Sequence, residues 1–121
     1  MKFIIILAVF VALAVAKETY TTENDDFDID ALIANPSEFK KFVGCFLDSS
    51  PCNAVAEHFK KDIPEAFQQA CEKCTDAQKV LFRKFLAGLK EKFPEDLAAF
   101  KKKFDPESKY YAGLVKAVAE S

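Results

Sequence analysis

The 121-residue chain carries 17 basic residues, 19 acidic residues and one histidine, for a formal net charge of −2, and half of its residues are hydrophobic. A nucleic-acid surface needs clustered cations to displace counterions, and the one dense basic run, Lys101-Lys102-Lys103, lies between Phe100 and Phe104 at helical spacing, so it reads as a solvated helix face. Three scattered glycines leave no phosphate-cradling loop, and no pair of histidines at i, i+4 offers a catalytic metal site.

The chain opens with Met1-Lys2 and an unbroken apolar run from Phe3 to Ala16. That run is shorter than the ~20 residues a spanning helix requires, and it ends on the small-residue pattern Ala14-Val15-Ala16. Residues 1–16 are therefore expected to be a signal peptide cleaved after Ala16, which places the protein outside the cell with no stable membrane insertion; the competing reading is an uncleaved N-terminal anchor. Cleavage would leave 105 residues with 16 basic and 19 acidic side chains. A single domain of that size buries somewhat over ~60% of its unfolded surface, so covalent reinforcement is useful.

Residues 17–27 are polar and acidic without periodicity and predict an extended arm ahead of a helical domain spanning 28–121. A short helix over residues 28–33 ends at Asn35-Pro36, because the residue before proline avoids the α region. Pro36 opens the next helix, which places Phe39, Phe42, Val43, Phe46 and Leu47 on one face. After the turn cluster at 48–51, Asn53 caps a helix with Val55, Phe59, Ile63 and Phe67 down one stripe. Pro64 interrupts that stripe, predicting either one bent helix to about Cys71 or two short ones.

Thr75-Asp76 begins the longest helix, with Leu81, Phe82, Phe85, Leu86, Leu89 and Phe93 inward. Beyond Pro94, Leu97, Phe100 and Phe104 mark a short helix stopped by Asp105-Pro106, and Tyr111, Leu114, Val115 and Val118 mark a last one. No segment alternates apolar and polar residues over strand lengths. The expected fold is all-α, a single compact bundle of about six helices.

Four cysteines, Cys45, Cys52, Cys71 and Cys74, lie in a chain read as exported, where disulfides are the default. Of three possible connectivities, sequence proximity favours Cys45 with Cys52 across the Ser49-Ser50-Pro51 turn and Cys71 with Cys74 across one helix-terminal turn. Loops this small stabilise by only about 2 to 2.5 kcal/mol each in the chain-entropy treatment. A structural zinc would require all four as converging thiolates, and a redox motif at 71–74 would normally open a helix after a strand.

The cysteines and their flanks, Cys45-Phe46-Leu47-Asp48, Pro51-Cys52 and Cys71-Glu72-Lys73-Cys74-Thr75, occur together with Tyr20-Thr21-Thr22, Ile63-Pro64-Glu65-Ala66, Gln78-Lys79, Phe104-Asp105-Pro106 and Tyr110. In this combination the chain resembles the insect chemosensory proteins, small soluble carriers of the olfactory-specific D type. The resemblance implies six helices around an apolar channel, sequentially paired disulfides, and reversible binding of long-chain fatty acids, alcohols, esters or odorants without chemistry. The chain departs from the family pattern at Phe42, where tyrosine is usual, at Asp96 and Leu97, where tryptophan is usual, and at Asn24, where a second arm aromatic is usual.

The inward stripes nominate Phe42, Phe46, Phe59, Ile63, Phe67, Leu81, Phe82, Phe85 and Leu97 as the channel wall. Eleven phenylalanines lie beyond residue 16, and rings in such number tile poorly enough to leave a cavity. The expected function is a monomeric carrier of a small hydrophobic ligand with no cofactor; the alternative is a secreted interaction protein, host-directed or developmental, with the same scaffold and a closed channel. His58 is the only imidazole available to activate a nucleophile, and on a helix beside Glu57 and Phe59 it reads as a half-exposed helix residue, so no enzyme is expected.

Overall fold

The computed structural model describes residues 19–119. Among them are six helices and no strand: α1 Ile29–Ala34, α2 Pro36–Phe46, α3 Ala54–Gln68, α4 Asp76–Lys92, α5 Pro94–Phe104 and α6 Tyr111–Ala119. The expected signal peptide and the cleavage after Ala16 lie outside the described residues.

Local chemistry sets most helix ends. The Asp28 carboxylate accepts the N–H of Ala31 at 3.0 Å to start α1. Asn35 ends α1 and caps α2, accepting the Glu38 N–H at 3.3 Å with Pro36 in the first turn. Asn53 accepts the Ala56 N–H at 2.8 Å to start α3. Thr75 and Gln78 form a reciprocal capping box on α4, each side chain accepting the other's backbone N–H at 3.0–3.1 Å.

Pro64 does not divide α3. The helix runs through it from Ala54 to Gln68 and ends three residues before Cys71, where Ala70 (φ 52°) and Cys71 (φ 59°) both turn left-handed. The Cys71 N–H then donates back to Ala66 O at 2.9 Å, terminating the helix without the glycine such a turn normally uses. Both sulfur pairs close locally, Cys45 with Cys52 and Cys71 with Cys74, so no sulfur remains as a thiolate. The first loop folds back onto the bare Cα of Gly44, where a Cβ would crowd the side chains of Ser49 and Ser50.

α4 is the central element, packed on α1, α5 and α6, while α2 packs on α1 and α3. At Gly88 the α4 backbone is bare enough to admit Ile33 of α1, whose Cδ1 would stand 2.9 Å from any Cβ at that position. The core is largely aromatic: Phe39, Phe42, Phe46, Phe67, Phe85 and Phe100 are all buried. Val115, read as inward on the last helix, is 37% exposed; the buried side of that short helix holds only Leu114 and Val118.

The arm is not simply extended. Residues 23–26 form a turn, and the segment is strapped across α3 and α4. The Tyr20 N–H donates to Lys73 O at 2.9 Å, the Gln78 amide donates to Thr21 O at 3.0 Å, and the Thr75 hydroxyl donates to Asp25 at 3.1 Å.

Candidate functional site

A cavity of about 70 Å³ lies beneath the strap, between α2, α3 and α4. Its wall combines Phe42 and Phe46 of α2, Phe59, Ile63 and Ala66 of α3, and Leu81, Phe82 and Phe85 of α4. Helical spacing produces this arrangement, since residues three and four apart share a face and the three stripes converge. Seven of the nine nominated wall residues are present: Phe42, Phe46, Phe59, Ile63, Leu81, Phe82 and Phe85.

Two nominated residues lie elsewhere. Phe67 is on the same α3 stripe but one turn beyond Ile63, and its ring packs on Phe82, Phe100, Phe104 and Tyr111 in a solid aromatic block under α5 and α6. Leu97 is half-buried on α5 and packs against the core without reaching the cavity.

Further lining residues were not nominated from sequence: Tyr20 and Phe27 of the strap, Ile29 of α1, Phe100 of α5, Cys74, and the polar Asp62 and Gln78. Phe27 stacks on Phe42 with ring centroids 5.8 Å apart and planes 12° apart, and it meets Phe59 edge-on at 6.0 Å. The strap therefore roofs the cavity with an aromatic ring. The available signal was the pair of isolated aromatics, Tyr20 and Phe27, in an otherwise polar segment.

Polar groups gather at one end. The Tyr20 hydroxyl donates to Glu65 at 2.8 Å; burial, and then that carboxylate, hold the phenol far above its ordinary value, so it remains a neutral donor. Burial also raises the Asp62 carboxyl, Glu65 adding to the rise while His58 and Lys61 oppose it. His58 shares a hydrogen bond of 3.1 Å with the Thr21 hydroxyl and lies 3.4 Å from Glu23, so the histidine ties the strap to α3. No serine or free thiol is paired with it among the described residues.

The family model for the insect pheromone-binding family A10/OS-D matches residues 20–112, from the strap to the first turn of α6. The chain belongs to this family. Ejaculatory bulb-specific protein 3 of Drosophila melanogaster is 30% identical over 122 residues, which cover 100% of this chain and 96% of that protein. Allergen Tha p 1 of Thaumetopoea pityocampa is 32% identical over 110 residues, covering 88% and 87% respectively. A solved chemosensory protein in complex with bromo-dodecanol shares the fold with a TM-score of 0.74 at 21% identity, over 85% of this chain and all of that one.

OS-D proteins form a binding-protein family, and in this OS-D chain an apolar cavity and two local disulfides occur together. Of the positions where it departs from the usual family pattern, Phe42 is in the cavity wall, buried to 6% exposure, while Asp96 bonds Lys40 at 2.6 Å on the outside.

Proposed function

We propose that this chain is a secreted, non-enzymatic carrier that reversibly holds long-chain fatty acids, alcohols, esters or related semiochemicals in the cavity between α2, α3 and α4. The observation that carries this reading is the wall itself, which is hydrocarbon and sulfur apart from Tyr20, Asp62 and Gln78. The fold relative that holds bromo-dodecanol supports the same ligand class. Residues 1–16 would direct export and be cleaved after Ala16.

Binding of this kind is apolar burial. Each methylene contributes at most ~0.8 kcal/mol, up to roughly fourfold in Kd per carbon, and ordering costs reduce the gross ~11 kcal/mol of a 14-carbon chain to micromolar affinity. The cavity volume of about 70 Å³ is under half of the ~150 Å³ that admits benzene in an engineered cavity. A long chain must therefore displace something, and the strap's Phe27 and Tyr20, which belong to no helix, are the roof that gives way at least cost.

Displacement of an apolar fluorescent probe by n-alcohols of about 8 to 18 carbons tests the reading, since the chain contains no tryptophan to quench. Affinity should rise with length until the cavity is filled, and a flat series refutes the carrier.

The small volume gives the alternative its footing: a secreted interaction protein in which phenylalanine closes the channel. Organic extraction and mass spectrometry of protein from a eukaryotic secretion host separates the two. Co-purifying acyl chains support the carrier, and their absence together with a flat series supports the interaction protein.

A further inference from the structure

We infer that Asp62 selects ligands by head group, so that the cavity takes amphiphiles whose polar end donates a hydrogen bond, neutral alcohols and protonated amines, ahead of fatty carboxylates. This inference rests on the carrier reading above and adds the chemistry at the polar end.

Asp62 and Tyr20 are the two residues that line both the apolar cavity and an outer groove formed with Thr19, Thr21, His58 and Lys61. They stand where hydrocarbon wall meets water. A bound amphiphile puts its tail among the rings and its head at this boundary, because a polar group carried inward without a partner loses its hydration uncompensated.

The other two polar side chains of the wall are already engaged. The Gln78 amide donates to Thr21 O and its carbonyl accepts from the Thr75 N–H, while the Tyr20 hydroxyl donates to Glu65. Asp62 is the remaining one: its interactions with described residues are electrostatic only, with His58, Glu65, Lys61 and the Tyr20 phenol. In its ionised form the Asp62 carboxylate accepts hydrogen bonds and donates none, so the complement of that form is a hydroxyl or an ammonium, and an ammonium opposes the upward shift that burial imposes. A fatty carboxylate arriving there meets Asp62, while Glu65 beside it is already paired with Lys73 at 3.6 Å and with the Tyr20 hydroxyl, so the repulsion comes chiefly from Asp62. Lys61 and, when protonated, His58 are the positive groups facing Asp62 that could neutralise such a head, but both line the outer groove and not the cavity.

The test is probe displacement at pH 7 by 1-dodecanol, dodecylamine and dodecanoate, on the mature wild-type protein and on Asp62→Asn. The wild type should bind the alcohol and the amine about tenfold or more tightly than dodecanoate, the scale of a charge-assisted hydrogen bond. In the variant, dodecylammonium should lose about tenfold and dodecanoate should gain, closing the spread to roughly threefold or less. Asparagine keeps the shape and removes a charge that burial already disfavours, and a thermal melt confirms that the variant folds.

Dodecanoate binding the wild type as tightly as dodecanol, or an unchanged order in the variant, overturns the head-group role while leaving the carrier intact. In the first case, loss of dodecanoate affinity in Lys61→Gln would place the head in the outer groove instead. Failure of all three ligands with both proteins overturns the carrier and this inference together.

Discussion

Replacing Phe27 with alanine removes the ring that roofs the cavity, and its cost can be worked from the structure. A fully buried phenylalanine removes ~150–250 Å² from water, and Phe27 is half-buried, so about 100 Å² is lost. At ~25 cal/mol per Å² that is about 2.5 kcal/mol. The stack on Phe42 and the edge contact with Phe59 add to it, and settling of the strap offsets part, leaving about 2–3 kcal/mol. For a domain of this size the melting temperature should fall by about 10–15 °C. The space vacated joins the cavity, so 1-dodecanol should stabilise the variant more than the wild type, by roughly 1 kcal/mol at equal ligand concentration. Circular dichroism melts with and without dodecanol read both quantities. Phe67→Ala is the control: that ring is buried to 1% exposure outside the cavity, so its loss should cost ~3–5 kcal/mol with no enhanced response to ligand. A loss below ~0.5 kcal/mol for Phe27→Ala would show that the ring does not pack as described, and equal ligand responses in both proteins would remove the strap from the ligand's path.

Two further outcomes concern the scaffold. Ala70 is left-handed at φ 52°, a conformation that costs an L-residue ~1–2 kcal/mol; glycine there should raise stability by about 0.5–1 kcal/mol after its own chain-entropy penalty, measured as a shift of the denaturation midpoint. The Asp105 carboxylate accepts the N–H groups of Lys109, Tyr110 and Tyr111 at 2.8–3.0 Å; desolvation raises its carboxyl, yet the three bonds and the Lys101 charge together outweigh that and hold it below its ordinary 3.8. A group depressed in the folded state contributes stability above its unfolded value and loses it as pH falls through the folded one. Denaturation midpoints should therefore drop as pH falls below about 4, and Asp105→Asn should be less stable at neutral pH with a flatter acid limb; an unchanged limb would deny that role.

Much of the fold was legible because its determinants are local. Asn35, Asn53 and Thr75 cap the helices that follow them with their own side chains, and the cysteine pairs are separated by 7 and 3 residues. The three stripes that converge on the cavity follow from helical period alone, which is why seven nominated residues line it. Periodicity reports which side of a helix faces inward but not the depth along the bundle. Ile63 and Phe67 share a stripe, and only the arrival of α5 and α6 at the second position makes Ile63 cavity wall and Phe67 solid core.

At Pro64 the sequence left two alternatives open, and the structure takes the single helix. The proline forgoes one backbone bond, yet Ile63, Ala66 and Phe67 on either side of it are buried and keep the helix continuous, and it ends where Ala70 and Cys71 turn left-handed. Tyr20 and Phe27 carried no periodicity at all. Their places depend on partners as distant as Glu65, 45 residues away, and on the rings of Phe42 and Phe59. The sequence by itself determined the helices, the two sulfur pairs and the family, since each is encoded within a few residues. Only the tertiary structure decided the roof, the size of the cavity and the polar boundary at Asp62, because those arise where segments far apart in the chain meet.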